Sequence, residues 1–168
     1  VHLYGDHVPT WLKRISTNAE FVVHSLNLFS APEMGVSEIG PVQPGGTQWG
    51  PPSTVSTQIR LSDAERALFE ALDMLPKDES FHNLDMVFQS LTSLRPARLQ
   101  SLLAACQSVK VKRLFFVFAD RHAHGWRRHL SPSDFDLGAG ARALVKGGKF
   151  HSVYKISVPK DLLQTDNP

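Results

Sequence analysis

The chain has 168 residues, 42% of them hydrophobic and 20% charged, enough to bury a real core within the size range of one globular domain. Its formal charge is only +2, and its single cysteine, Cys106, excludes an internal disulfide and a multi-thiolate metal site. No apolar run approaches the roughly 18 residues of a membrane span; the greasiest stretch is LFFVFA at 114–119. A single domain over 1–168 in a reducing, cytoplasmic compartment is expected, with no membrane association. The chain opens on Val1 with neither a charged n-region nor a long h-region, so no signal peptide is expected and the start reads as trimmed.

In chain order, VHLYG (1–5) and EFVVHSLNLF (20–29) read as strands, with PTWLKRI between them as a helical turn. Residues 30–53 put five Pro and five Gly into 24 positions, which predicts a long Pro/Gly-rich loop without regular structure. Trp49 is its one residue large enough to dock back on the core. TVSTQIRLS (54–62) resumes as a strand through the alternation of Val55, Thr57, Ile59 and Leu61.

After Ser62 the period changes. Ala64, Ala67, Leu68, Ala71, Leu72 and Leu75 form a helical apolar stripe, Ser62 and Glu65 fit an S-x-x-E capping box, and Pro76 ends the helix. A second helix over about 80–92 carries Phe81, Leu84, Phe88 and Leu91 on one side. A third opens at Pro96, a first-turn position, and carries Leu99, Leu102, Leu103 and Cys106, with the cysteine as a small buried apolar group.

Within SVKVKRLFFVFADRHAHGWRRHL (108–130), the part before Gly125 fits a helix better than a strand, because Leu114, Phe115 and Phe116 are consecutive, and beyond Gly125 the chain turns. At 100° per residue Val111, Leu114, Phe115, Phe118 and His122 share one face, and Lys110, Arg113, Arg121 and His124 another. Phe116 falls outside the apolar arc, which predicts a central helix covered on more than one side whose basic stripe reaches the surface. Beyond it, Arg142–Val145 and Val153–Val158 read as strands, with KGGK (146–149) as the turn of a C-terminal β-hairpin and Tyr154, Ile156 and Val158 on one face. QTDNP at the end is expected to fray. The order of elements predicts an α+β domain, a small mixed or antiparallel sheet with about four helices packed on it.

Charge is unevenly placed. Residues 61–94 hold seven Asp/Glu and two Lys/Arg, a net of −5, whereas residues 95–155 hold twelve Lys/Arg and three Asp/Glu, a net of +9. Clustered cations point to an anionic partner, since they gain from releasing phosphate counterions. The same asymmetry also arises when acidic and basic stretches fold against each other or stay solvated.

The blocks SDAERALFEALDMLPKDESF, LTSLRPARLQSLLAACQSVKVKRLFFVFADRHAHGW, DLGAGARALVKGG and YKISVP, in that order, resemble the C-terminal domain of AbiEi-type proteins. These are the antitoxins and transcriptional regulators of type IV toxin–antitoxin systems. The resemblance covers residues from about 54 onward and extends to the first 29. It implies an antitoxin domain that counteracts a nucleotidyltransferase-like toxin without needing a stable complex with it. In that family a winged helix-turn-helix precedes this domain and binds operator DNA for autorepression. No winged-helix pattern precedes Val1, so the chain resembles the C-terminal domain of a longer bacterial regulator.

Other patterns carry weaker signals of chemistry. His122 and His124 point about 200° apart on a helix, so with His129 they do not form a zinc site, and no metal or other cofactor is expected. DFD (134–136) lacks the Gly-Ser element that accompanies the paired carboxylates of nucleotidyl transfer and reads as a cap or loop. GVSEIG (35–40) and GAGARALVKGGK match neither a nucleophile elbow nor a phosphate loop. No catalytic residues and no enzyme activity are expected. The basic patch remains: Lys110, Lys112, Arg113, Arg121, His124, Arg127, Arg128, Arg142 and Lys146, with Trp126 as a stacking surface, form a candidate nucleic-acid or partner-binding face. The competing reading is that these long cations cover apolar surface at the rim of a core. The alternative to an antitoxin domain is a protein-interaction or dimerisation module of a transcriptional regulator, using the acidic helices over 63–91 or the loop around Trp49. Oligomeric state is open.

Overall fold

The computed structural model describes residues 1–5, 7, 9–39 and 59–163. Among these residues are four α-helices, α1 (Ala64–Met74), α2 (Phe81–Ser90), α3 (Pro96–Ala105) and α4 (Val109–His122). Its strands are β1 (His2–Tyr4), β2 (Val22–His24), β3 (Val36–Ile39), β4 (Ile59–Ser62), β5 (Arg142–Ala143), β6 (Lys149–His151) and β7 (Ile156–Val158). The architecture is α+β, as the periodicities predict.

All four helices form where apolar residues recur at helical spacing, and three begin on a polar side chain. Asp63 caps α1 by accepting from the Arg66 amide, Ser80 caps α2 from Asn83, and Ser108 caps α4 from Val111. The expected Ser62–Glu65 capping box is not formed. Ser62 instead donates its hydroxyl to Glu70, and Glu65 pairs with Arg95, because those partners come from tertiary packing. Pro96 opens α3, where its missing N–H costs nothing. The buried stripe of α1 is rotated from the expected one: Leu68, Phe69, Leu72 and Leu75 face the core, while Ala64 and Ala67 are exposed.

Helix α4 is the axis of the molecule. Every residue from Val111 to Ala119 is buried. Phe115 meets Phe69, Phe88, Phe116 and Trp126, and Phe118 stacks on Phe88 and Phe81. Phe116 packs on the opposite side against Tyr154 and Phe135. Each such ring contributes about 2 kcal/mol from area removed from water.

Instead of one sheet, the described strands form three small ones. β1 and β2 pair in parallel, β3 and β4 antiparallel, and the third has the order β5-β7-β6. Three strand expectations are thereby corrected. β2 is only Val22–His24, and downstream of it Phe29 makes a lone bridge to Cys106. Within 30–53 the chain does form β3, paired with β4, because Gly35 at φ +76° turns it back onto the start of α1. The KGGK turn leads from β5 to β6, which are not neighbours; the hairpin is β6–β7, and β5 runs parallel to β7. Trp49, Val55, Thr57 and the expected fraying of QTDNP lie outside the described residues.

Candidate functional site

Apart from Arg142 and Lys146, the cations of the expected patch lie on α4 or just after it, and α4 is buried from Val111 to Ala119. Arg113 is 1% exposed. Its Nε donates to the Leu137 carbonyl (2.7 Å), Nη1 to those of Gly140 and Lys155 (both 2.9 Å), and Nη2 to those of Gly138 (3.0 Å) and Ala139 (3.4 Å). No carboxylate among the described residues touches this guanidinium, and burial, followed by the nearby charge of Arg142, pulls its pKa down from the ordinary arginine value. Lys112 is buried near Cys106, whose thiol burial pushes up to about 11. Lys110 reaches the carbonyls of Asp73 and Leu75 and the Asp73 carboxylate.

At the other end of α4, Arg121 and His122 share Asp85 of α2, and Arg121 also donates to the Leu162 carbonyl. His122 is partly buried and partnered by the Asp85 carboxylate. Ala123 terminates α4 in a left-handed conformation, which stacks His124 beside His122 with ring centroids 5.9 Å apart and aims its Nε2 at the Phe88 carbonyl. Arg127 bonds Asp120 and the Leu130 carbonyl and lies over the Phe116 ring. Tyr154 donates to the other Asp120 oxygen, and burial together with that carboxylate lifts its pKa to about 12. Trp126 is 4% exposed, its indole N–H donating to the Leu91 carbonyl, so it offers no stacking surface.

The ten predicted residues are therefore not brought together as one face. Lys112, Arg113 and Trp126 are inside; Lys110, Arg121, His124 and Arg127 are engaged by neighbouring elements; Arg128, Arg142 and Lys146 are exposed. Arg142 and Lys146 belong to the C-terminal strands and turns, whose surface also carries Lys149, Lys155 and Lys160, all exposed. From 142 to 160 the sequence has five Lys/Arg and no Asp/Glu. None of the five has an ion pair among the described residues. Phe150, half exposed, lies on the sheet face it shares with Ser157. The signal for this surface is legible as an acid-free run but is outweighed by the denser cation spacing of 108–130. DFD runs from the end of a 3-10 turn (Pro132–Asp134) into a loop, with Asp136 accepting from the Gly138 amide.

A sizeable cleft lies elsewhere, a space of about 590 Å³ lined by Tyr4, Leu61, Ser62, Arg66, Glu70 and Met74, among others. Its polar floor is mutually satisfied. Arg66 Nε donates to Glu70 (2.6 Å), Ser62 to the other Glu70 oxygen (2.8 Å), and Arg66 Nη1 to the Met34 carbonyl (2.8 Å). Burial and the Glu70 carboxylate raise the Tyr4 pKa, so its phenol stays protonated.

Compared with protein families, residues 1–159 match the model described as transcriptional regulator, AbiEi antitoxin, type IV toxin–antitoxin system. The chain belongs to the AbiEi antitoxin family. Its AbiEi character thus extends to the N-terminal strands as well as to the helical core. No curated protein and no solved structure matches the chain. As an AbiEi protein it is a type IV antitoxin and transcriptional regulator by family, and no described helix is long and apolar enough to cross a membrane.

Proposed function

We propose that this chain is the antitoxin domain of a longer AbiEi regulator, folds as a single domain in the cytoplasm, and counteracts a nucleotidyltransferase-like toxin without catalysis and without needing a stable complex with it. The observation that carries this reading is the family match over residues 1–159. In the full-length regulator the domain accompanies operator binding and autorepression, adding sequence-independent affinity for nucleic acid. The acid-free run from Arg142 to Lys160, whose five cations are all exposed, supports this, since surface cations release counterions on meeting phosphates.

The deciding experiment is co-expression of this chain with the toxin encoded beside it. Restored growth is expected with no complex needed in a pull-down. Persistent toxicity with the chain soluble and folded counts against the reading. A second reading, a protein-interaction module, is favoured by Met86 and Val87, exposed side by side on α2. Light scattering and a pull-down with the toxin separate the two.

A further inference from the structure

The loop from Leu137 to Arg142 is polarised by what lies beneath it. Arg113 draws in four consecutive carbonyls, those of Leu137, Gly138, Ala139 and Gly140. In a planar trans peptide the N–H points opposite to the C=O, so the amides of Gly138, Ala139, Gly140 and Ala141 point away from the guanidinium. The backbone permits this because Gly138 (φ +66°) and Gly140 (φ +74°) are left-handed while the intervening Ala139 is not. Such alternation puts successive amides on one side, the arrangement that forms anion-binding concavities.

The outward side is exposed from Gly138 to Arg142. The Asp136 carboxylate already accepts from the Gly138 amide at 2.8 Å. The amides of Ala139, Gly140 and Ala141 have no acceptor among the described residues, whereas the Arg142 amide is taken by the Lys155 carbonyl (2.9 Å). Two guanidiniums flank the loop, Arg113 buried without a carboxylate partner and Arg142 exposed without an ion pair among the described residues. The Asp136 carboxylate partly offsets their mutual repulsion at Arg113. The exposed Lys155, whose carbonyl Arg113 also holds, adds a third cation. Unpaired amides, an unpaired guanidinium and a like-charge pair in one place are the complement of a multiply charged oxyanion.

We propose that the Ala139–Arg142 turn is a phosphate-binding site, in which the amides of Ala139, Gly140 and Ala141 and the Arg142 guanidinium receive one phosphate group. Arg113 is its positioning residue, fixing the carbonyls inward so that the amides face out. The phosphate belongs either to a free nucleotide or to a polynucleotide backbone, and the two share this chemistry. The site deepens the nucleic-acid part of the proposed function but does not depend on toxin neutralisation, which the co-expression experiment tests separately.

The test is an amide-resolved NMR titration of the 168-residue chain with inorganic phosphate, then with ATP, a duplex oligonucleotide and acetate. Saturable shifts of Ala139, Gly140 and Ala141 with phosphate, weakened about tenfold in Arg142→Gln, are expected. That variant changes an exposed side chain, and its unshifted core resonances report that it remains folded. Tighter binding of ATP than of duplex assigns the site to a free nucleotide; the reverse assigns it to a backbone phosphate. Unmoved amides with phosphate, ATP and duplex, an unchanged affinity in Arg142→Gln, or acetate binding as well as phosphate would each overturn the assignment.

Discussion

Arg121 of α4 grips Asp85 of α2, its Nε standing 2.9 Å from Oδ1 and 3.2 Å from Oδ2, while His122 Nε2 lies 2.7 Å from the same Oδ1. A cation that a helical wheel assigns to solvent is thus an internal tie between two helices. Asp85→Ala leaves Arg121 and His122 facing each other without their shared carboxylate. A loss of about 2 kcal/mol is expected, read as a lower urea midpoint with unchanged m. A shift under about 0.5 kcal/mol would mean that the pair behaves as a solvated surface bridge.

Arg113 closes the C-terminal loop onto α4 with all its donors. Arg113→Met removes the partner of five carbonyls and is expected to cost about 3 kcal/mol. Arg113→Lys, with a shorter reach and no planar fork, should recover less than half of that. Hydrogen exchange should rise first at the Arg142 amide, which pairs with Lys155 at the same junction. Uniform acceleration over the whole chain, with no lead at the junction, would contradict this local role.

Glu65 gives the fold an acid-sensitive tie. Hydrogen bonds from Arg95 hold its carboxyl down at about 2, below the ordinary 4.5, against the opposing effect of burial. A depressed folded pKa stabilises above the unfolded value, so this contribution is complete at neutral pH and fades as pH falls from 4.5 towards 2. Glu65→Gln should melt lower than the parent at about pH 7, and the gap should close as pH falls through that window. A gap that stays constant from neutral pH down to about pH 2.5 would refute the linkage.

Gly35 and Gly125 should respond oppositely to alanine. Gly35 sits at φ +76°, and an added Cβ would lie 2.8 Å from Arg66 Cβ and 3.1 Å from Asp63 Oδ1. Gly125 has no atom within 4 Å of its would-be Cβ. Gly35→Ala is expected to cost about 2 kcal/mol and Gly125→Ala to be neutral or slightly stabilising. Calorimetric melting temperatures of the two variants decide it; equal shifts would rule out the close approach at Gly35.

The sequence by itself determined the helices, because α1 to α4 each repeat apolar residues at a period that only a helix places on one side. It also carried the family likeness, the central position of the helix that bears Phe115, Phe116 and Phe118, and the buried role of Cys106. Strand pairing was less legible. β5 has two residues and β6 three, too few for a period-two pattern to register, and their neighbour β7 is chosen by packing beneath α4.

Only the tertiary structure decided which cations meet water. Periodicity assigns a direction around one helix axis, whereas exposure depends on what every other element brings to that direction. Around α4 those elements bring Asp85, Asp73 and the carbonyls of the 137–140 loop, all within reach of long side chains. Of the expected patch, Arg128 in the turn after α4 and Arg142 and Lys146 in the short strands and turns of the C-terminal sheet are left exposed, where no periodic pattern marks them.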